Sequence, residues 1–340
     1  MTAPFNDLFK GSIPPNTLWS IGNEKFYTQP IGSTKMSIST RTAESLKKYN
    51  LIVADYSSEH WGPHYQGILP PSYFDLLALN LNFIFLTHHE PEHLLSPNYL
   101  YFPHHYFKKN DKLVPQYDSV SRINKKFKIS CLNRNARVHR IYNFLKLKEK
   151  SYFNELLFTF HDCFAFRHDD PKLNQSMMDE WKTIQHNFNA AWIDLDLPRS
   201  NSTTSHPAYT DSYIHLITET TIIPKIFITE KTWKSIASGQ LFILLGNPGS
   251  VQHLRNLGVD TFDDYINHDY YDNELDWQTR IDKIHELVDY FMSLSNSALE
   301  QINKETQARR LSNMEKYFAS EFVSKYVKCF QDKVDELSIR

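Results

Sequence analysis

The chain has 340 residues, of which 41% are hydrophobic and 22% are charged, and its formal net charge is −2. This composition is typical of a globular protein and excludes a collagen, a coiled-coil rod and a disordered tail. A charge this close to zero provides no overall field that would draw the protein onto nucleic acid or an anionic membrane. At about 150 residues per domain, the length predicts two domains.

The cysteines and the hydropathy pattern predict a cytoplasmic location. Cys131, Cys163 and Cys329 lie far apart and form no CxxC pair, which is typical of a protein in a reducing compartment. The sequence has no secretory signal pattern and no apolar run of about 18 residues. We therefore expect a cytoplasmic protein without a membrane span.

Short apolar runs predict a parallel sheet in the first 125 residues. Strands are predicted at 51–54, 82–86 and 99–102, and a short helix over 72–81. The order strand, helix, strand is typical of parallel pairing. The polar segment 108–126 predicts a domain boundary, which gives an N-terminal domain of residues 1–125 and a C-terminal domain of residues 126–340.

The C-terminal domain alternates predicted strands and helices, which indicates an α/β fold. Thr229 is a predicted N-cap, Gly239 a predicted C-cap, Ser250 a cap of the next helix and Gly258 its end. The apolar residues of 281–291 lie on one helical stripe, and 297–335 has a helical pattern, so a helical C-terminal tail is expected. The predicted strands are 127–132, 156–160, 213–217 and 241–245, and the predicted helices include 138–147 and a short one that follows Thr229 and is stopped by Gly239.

Two groups of charged residues follow predicted strands and begin helices. One is Thr229-Glu230-Lys231, and the other contains Arg134, Arg137 and Arg140. In open α/β sheets, ligands bind at the carboxyl ends of the strands, and helix N-termini there attract phosphate groups. The same residues would also serve as ordinary caps and solvated first turns, so both interpretations stay open.

The N-terminal domain has its own candidate residues at strand ends. Glu90 is a candidate general base for an acceptor hydroxyl. Asp55 and Glu59 follow the first predicted strand and are candidates for acceptor binding or for an ordinary loop. His89 and His93 have the spacing of zinc ligands on a helix, but Pro91 disfavours that helix.

The sequence lacks the motifs that identify several enzyme classes. The sequence contains no GxGxxG, P-loop, GxSxG or kinase motif, so dehydrogenase, NTPase and serine hydrolase functions lose their main support. Asp194 and Asp196 form a D-x-D pair, which is a weak metal signal beside apolar residues that suit a structural turn. We predict no metal site.

The C-terminal segments resemble the donor-binding core of the α1,3-fucosyltransferases. That family has a strand, an (S/T)-E-K helix start and a strand ending in G-x-P, and the matching runs here are 211–219, 227–231, 236–239 and 242–248. In 127–148, Arg140 matches the donor-phosphate arginine. Thr87–Glu90 with 97–103 resembles the acceptor-side segment, which implies that Glu90 is the catalytic base. Gln240 replaces a usual proline, and Asn247 a usual serine. A broader resemblance to exostosin-like transferases is also noted.

The resemblance implies a GT-B fold, in which two Rossmann-like domains face a cleft. It implies inverting, metal-independent and cofactor-free transfer of a sugar from a GDP- or UDP-linked donor to a hydroxyl of a glycan precursor or of a modified nucleobase in DNA. The alternative function is a non-catalytic sugar- or nucleotide-binding module. The resemblance assigns donor binding to the C-terminal domain and acceptor binding to the N-terminal one; the candidate donor residues are Arg134, Arg137, Arg140, Glu219, Thr229, Glu230 and Lys231, and the acceptor-side residues are Asp55, Glu59 and His89.

Overall fold

The protein is a mixed α/β chain that forms two compact units, residues 1–108 with 323–340 and residues 109–322. A computed structural model describes residues 17–21, 44–56, 80–87, 98–101, 103, 106, 115–135, 137–162, 204, 207–222 and 226–338. The domain boundary near residue 125 stays a prediction. No helix within these ranges is long and apolar enough to cross a membrane.

The first unit contains a parallel sheet of four described strands in the order β1-β2-β3-β4. Leu51, Ile52, Val53, Phe83 and Ile84 are buried at its centre, which explains why their apolar runs form strands. The last helix of the chain, Ser324–Ser338, belongs to this unit. The strands are β1 (Thr17–Ile21), β2 (Leu51–Tyr56), β3 (Phe83–Thr87) and β4 (Tyr99–Tyr101).

The second unit contains a parallel sheet in the order β6-β5-β7-β8. The strands are β5 (Phe127–Asn135), β6 (Leu157–Asp162), β7 (Ser212–Thr218) and β8 (Leu241–Leu245). The helices are α1 (Tyr117–Ser121), α2 (Val138–Lys148), α3 (Pro207–Thr210), α4 (Glu230–Ala237), α5 (Ser250–Asn256), α6 (Trp277–Ser293), α7 (Asn296–Glu305) and α8 (Gln307–Phe318).

The strand order of the second unit creates a topological switch point. From β5 the chain goes to β6 on one side of the sheet, and it later returns to β7 on the other side of β5. The connections after β5 and β7 therefore diverge, which opens a crevice at the carboxyl ends of these two strands. This crevice is the place where an open α/β sheet most often binds its ligand.

Burial explains the central strands of this sheet. Every residue of β7 and β8 is buried, so their near-continuous apolar sequence is that of strands covered on both faces. On one face, Trp233 of α4 stacks with Tyr317 of α8 and with Phe322. Arg310 of α8 adds buried hydrogen bonds to the carbonyls of Gly239 and Val120.

The structure confirms most of the predicted elements and corrects several. The parallel strands at 51–54, 82–86, 99–102, 127–132, 156–160, 213–217 and 241–245 are present with end shifts of up to three residues. The helix predicted at 138–147, the short helix predicted between Thr229 and Gly239 and a helix that carries the stripe of 281–291 are also present. The prediction that Ser250 caps α5 is wrong, because Gly249 is the N-cap. The strand β1 and the helices α1 and α3 were not predicted. Most of the helix predicted over 72–81 lies outside the described residues.

We predict that Gly239→Ala destabilises the protein through a steric clash. Gly239 has a φ of +62°, and an added Cβ would lie 2.5 Å from Cγ2 of buried Val120. Gly258 also has a positive φ, +88°, but nothing lies within 4 Å of its added Cβ. Gly258→Ala should therefore cost only the backbone strain of about 1–2 kcal/mol, and Gly239→Ala about 1–3 kcal/mol more. Urea unfolding of both variants measures the difference.

A second substitution separates the clash from the strain. Val120→Ala removes Cγ2, so adding Gly239→Ala to the Val120→Ala background should cost no more than Gly258→Ala costs in the wild type. An undiminished cost in that background would contradict the assigned contact.

Candidate functional site

Glu219 lies directly after β7 and connects this strand end to the start of α4. One of its carboxylate oxygens accepts hydrogen bonds from the Thr229 backbone N–H at 2.9 Å and from the Thr232 hydroxyl at 2.6 Å. The other oxygen accepts one from the Thr229 hydroxyl. Glu219 is fully buried. Its carboxylate therefore holds the first turn of α4 against the end of β7.

The start of α4 presents Lys231 beside two hydroxyl groups. The Lys231 ammonium donates to Oγ1 of Thr220 and to Oγ1 of Thr229, both at 3.1 Å. It also lies 3.5 Å from Oε1 of Glu230. The predicted cap is confirmed, because the Thr229 side chain accepts from the Lys231 backbone N–H. Lys231 keeps 19% of its side chain exposed, so this cation can be reached from solvent.

The start of α2 meets the same strand end from the other side of the switch point. Arg140 donates through Nη2 to the carbonyls of Thr218, at 2.9 Å, and Glu219, at 3.0 Å. Nε2 of His139 donates to the Glu219 carbonyl at 2.8 Å. Both side chains are buried. A further hydrogen bond, from the Thr218 hydroxyl to the Asn133 side-chain oxygen at 2.5 Å, joins β7 to the carboxyl end of β5.

Positive charge is concentrated at this edge of the sheet. Burial and the neighbouring Arg137 lower the pKa of Arg140 to about 10, while Glu219 and Glu230 act in the opposite direction. Burial holds the pKa of His139 well below its usual value, and the positive charge of Arg140 adds to this effect. His139 is therefore neutral at physiological pH, and the arginines are charged.

Of the predicted donor residues, Arg140, Glu219, Thr229 and Lys231 are connected by hydrogen bonds around the end of β7, but they differ in what they can contact. Lys231 and Arg137 are partly exposed, and Arg137 stands at the N-cap of α2. Arg140 and Glu219 are buried and hold the chain itself through the bonds above. We therefore describe Arg140 and Glu219 as residues that position the loop after β7. Whether either contacts a donor stays a prediction.

Arg134 differs from its predicted position. The sequence pattern ends the strand at Leu132–Asn133, but β5 continues to Asn135, with Asn133 opposite Phe160 and Asn135 opposite Asp162. Arg134 therefore belongs to the strand and does not open the helix. The reason is that parallel pairing with β6 continues past the last apolar residue.

Of the remaining candidate residues, the structure describes Asp55 alone. Asp55 lies in β2, paired with Ile21 of β1 and Leu86 of β3. Glu59, His89, Glu90 and the Asp194–Asp196 pair lie outside the described residues. Among the residues that the structure does describe, no group of His, Cys, Asp and Glu side chains could hold a metal ion.

Thr232 and Thr218 are members of the cluster that the sequence analysis missed. Thr232 follows the N-cap Thr229 by three residues, and its hydroxyl points back to Glu219. That spacing resembles a capping box, with a hydroxyl in place of the usual Glu or Gln. Thr218 carried no recognisable signal, because it ends an otherwise apolar strand.

Comparisons with known proteins do not assign a family. No protein-family model matches the chain, and no curated protein matches it.

We predict that His139 makes the stability of the protein pH-dependent. The unfolded chain protonates this histidine near pH 6.5, whereas burial keeps it neutral in the folded state. Protons therefore bind the unfolded state preferentially as the pH falls below about 6.5, and the free energy of unfolding decreases. His139→Gln keeps a donor for the Glu219 carbonyl and should reduce the loss of stability between pH 8 and pH 5.5 by about 1.4 kcal/mol.

Urea unfolding of the full chain at the two pH values measures this difference. Lys148→Ala at the exposed C-terminal end of the same helix serves as the control, and its pH dependence should equal that of the wild type. An equal loss of stability in His139→Gln and the wild type would show that His139 does not stay neutral.

Proposed function

We propose that the protein is a glycosyltransferase, which transfers a sugar with inversion from a nucleoside diphosphate sugar to a hydroxyl acceptor. One observation carries this proposal: Arg137 and Lys231 stand at the starts of the helices α2 and α4, beside the switch point of a parallel sheet. Partly exposed cations beside such a crevice suit a diphosphate group better than they suit a neutral ligand. The resemblance to the α1,3-fucosyltransferases agrees with this location for the donor.

Lys231 is the residue to which we assign the diphosphate contact. As the bond between sugar and phosphate breaks, negative charge develops on the leaving nucleoside diphosphate. A fixed ammonium group stabilises that charge in the transition state more than in the ground state. The hydroxyls of Thr220 and Thr229 hold the Lys231 ammonium in place before the substrate binds. In this proposal the cations of the chain neutralise the diphosphate, so that transfer does not require a divalent metal ion.

Glu230 and Glu90 complete the proposed reaction. Glu230 stands beside Lys231 with 10% of its side chain exposed, and its carboxylate would accept hydrogen bonds from ribose or sugar hydroxyls. Glu90 would remove the proton from the attacking hydroxyl as the new glycosidic bond forms. We further propose a GT-B arrangement, with the donor on the C-terminal domain and the acceptor on the N-terminal domain. The cysteine pattern supports a cytoplasmic location.

The experiment is a screen for donor binding and turnover with the full chain. GDP, UDP and other nucleoside diphosphates are tested first by thermal shift, because a ligand of the folded state raises the melting temperature. The corresponding nucleotide sugars are then tested for hydrolysis and for transfer. We expect Lys231→Ala to lower turnover by about 100-fold or more, while Lys148→Ala leaves it unchanged.

The outcomes separate the alternatives. Binding of nucleotides without turnover of any nucleotide sugar, across glycan and DNA acceptors, would favour the non-catalytic binding module. A salt-dependent mobility shift with duplex DNA that contains modified bases would favour the nucleobase acceptor over the glycan precursor. Full activity of Lys231→Ala would remove the diphosphate contact on which the proposal depends.

A further inference from the structure

Arg280 is a buried arginine that forms no ion pair within the part of the chain that the structure describes. It lies in the first turn of α6, and only 1% of the residue is exposed. Its Nη1 donates to the carbonyl of Gly246 at 2.5 Å, directly after β8. Within the described residues, Nε and Nη2 have no hydrogen-bond acceptor. Buried donors of a charged group that lack acceptors are unfavourable, so these two nitrogens are candidates for contact with a ligand.

The neighbouring carboxylates are engaged elsewhere. Asp272, Glu274 and Asp276 lie close enough to act on the charge of Arg280. The Asp272 carboxylate accepts from two backbone N–H groups of α5, Glu274 pairs with Lys283, and Asp276 caps α6 through the Thr279 N–H. These carboxylates attract the guanidinium electrostatically, but none of them forms an ion pair with it among the described residues.

Arg310 is a buried arginine of the same unit whose hydrogen bonds are all made within the protein. It is also 1% exposed. Its guanidinium donates to the Thr306 hydroxyl and to the carbonyls of Gly239, Val120 and Asn303, and it thus uses all three of its nitrogens. Within the described ranges Arg280 uses one nitrogen of three, so the bonds seen there do not explain its burial.

A second unpartnered group lies against the same glycine. The Ser250 hydroxyl is buried and has no hydrogen-bond partner within the described chain. A Cβ built on Gly246 would lie 3.1 Å from this hydroxyl oxygen. The Gly246 carbonyl thus accepts from Arg280, and the Ser250 hydroxyl lies beside the Gly246 Cα. Both side chains have donor groups without an acceptor among the described residues.

The charge of Arg280 acts on the cluster around Glu219. The positive charge of Arg280 contributes to lowering the pKa of His139, and the ring of His139 donates a hydrogen bond to the Glu219 carbonyl. The carbonyl of Gly246 directly follows β8, which is the strand next to β7. Arg280 therefore lies at the same carboxyl edge as the switch-point cluster.

We propose that Arg280, assisted by the Ser250 hydroxyl, binds a phosphate oxygen pair of the nucleoside diphosphate. This inference rests on the proposed function, because it extends the diphosphate site from β7 to β8. The Nε and Nη2 groups of an arginine form a fork that matches two oxygens of one phosphate group. The bond from Nη1 to Gly246 fixes the orientation of that fork.

The test measures binding of inorganic pyrophosphate to the full chain by calorimetry, and it does not depend on turnover. We expect Arg280→Met to weaken binding by about tenfold or more, since it removes a charge-assisted pair of hydrogen bonds. Arg280→Lys keeps the charge without the fork and should weaken binding by about three- to tenfold. Ser250→Ala should weaken it by about threefold.

Arg255→Met is the matched control. Arg255 lies in the same unit, and carboxylates of Asp263 and Asp269 already occupy its guanidinium. We expect this variant to bind pyrophosphate as the wild type does. If Arg280→Met does not fold, Arg280→Lys and Ser250→Ala decide the question by the losses given above.

Different experimental results would overturn this inference and the proposed function. Wild-type affinity for pyrophosphate in Arg280→Met and Arg280→Lys would overturn the inference, even where nucleotide sugars are turned over. Loss of pyrophosphate binding in these variants, in a protein that turns over no nucleotide sugar, would support the anion site and refute the transferase. Absence of pyrophosphate binding by the wild-type chain would overturn the inference directly.

Discussion

The candidate site depends on one buried carboxylate. Glu219 accepts three hydrogen bonds through its side chain, while its carbonyl accepts bonds from Arg140 and His139. The residue therefore connects the end of β7 to the first turns of two helices that approach from different sides of the switch point. A buried carboxylate is unfavourable unless such partners compensate for the loss of water. The partners that compensate Glu219 are also those that bring Lys231 and Arg137 to one edge of the sheet.

The buried arginines of the second unit differ in the hydrogen-bond acceptors that they contact. Arg140 donates to backbone carbonyls far away in sequence, and Arg310 does so besides its bonds to the nearby Thr306 and Asn303, so these two residues hold loops and helices together. Among the described residues, the one acceptor of Arg280 is the Gly246 carbonyl. A guanidinium stays charged even when burial lowers its pKa to about 10, so it must be compensated in its charged form. The same residue type therefore serves as an internal tie in two places and as a candidate ligand contact in a third.

The sequence predicted the strands of the second sheet well, because β7 and β8 are buried on both faces and have uninterrupted apolar sequences. It also predicted the N-cap Thr229, whose signal is local. It failed at β1, where Thr17–Ile21 mixes polar and apolar residues, and at the end of β5, where polar residues still pair with β6. The burial of Arg140 could not be predicted, since its acceptors lie 78 and 79 positions away. The contact of Arg280 could not be predicted for the same reason. A helical stripe shows that a residue faces inward, but it does not show which carbonyl that residue contacts.

The glycines around β8 show how backbone and space requirements combine at this edge. The chain has only 9 glycines, and the ones at 239 and 249 have positive φ values that other residues adopt only at a cost. Gly246 does not, so its conformation does not require glycine. The constraint there is space, since a side chain would crowd the Ser250 hydroxyl at 3.1 Å. The lack of a side chain at Gly246 therefore lets the Ser250 hydroxyl approach the backbone directly after β8, on the residue whose carbonyl accepts from Arg280.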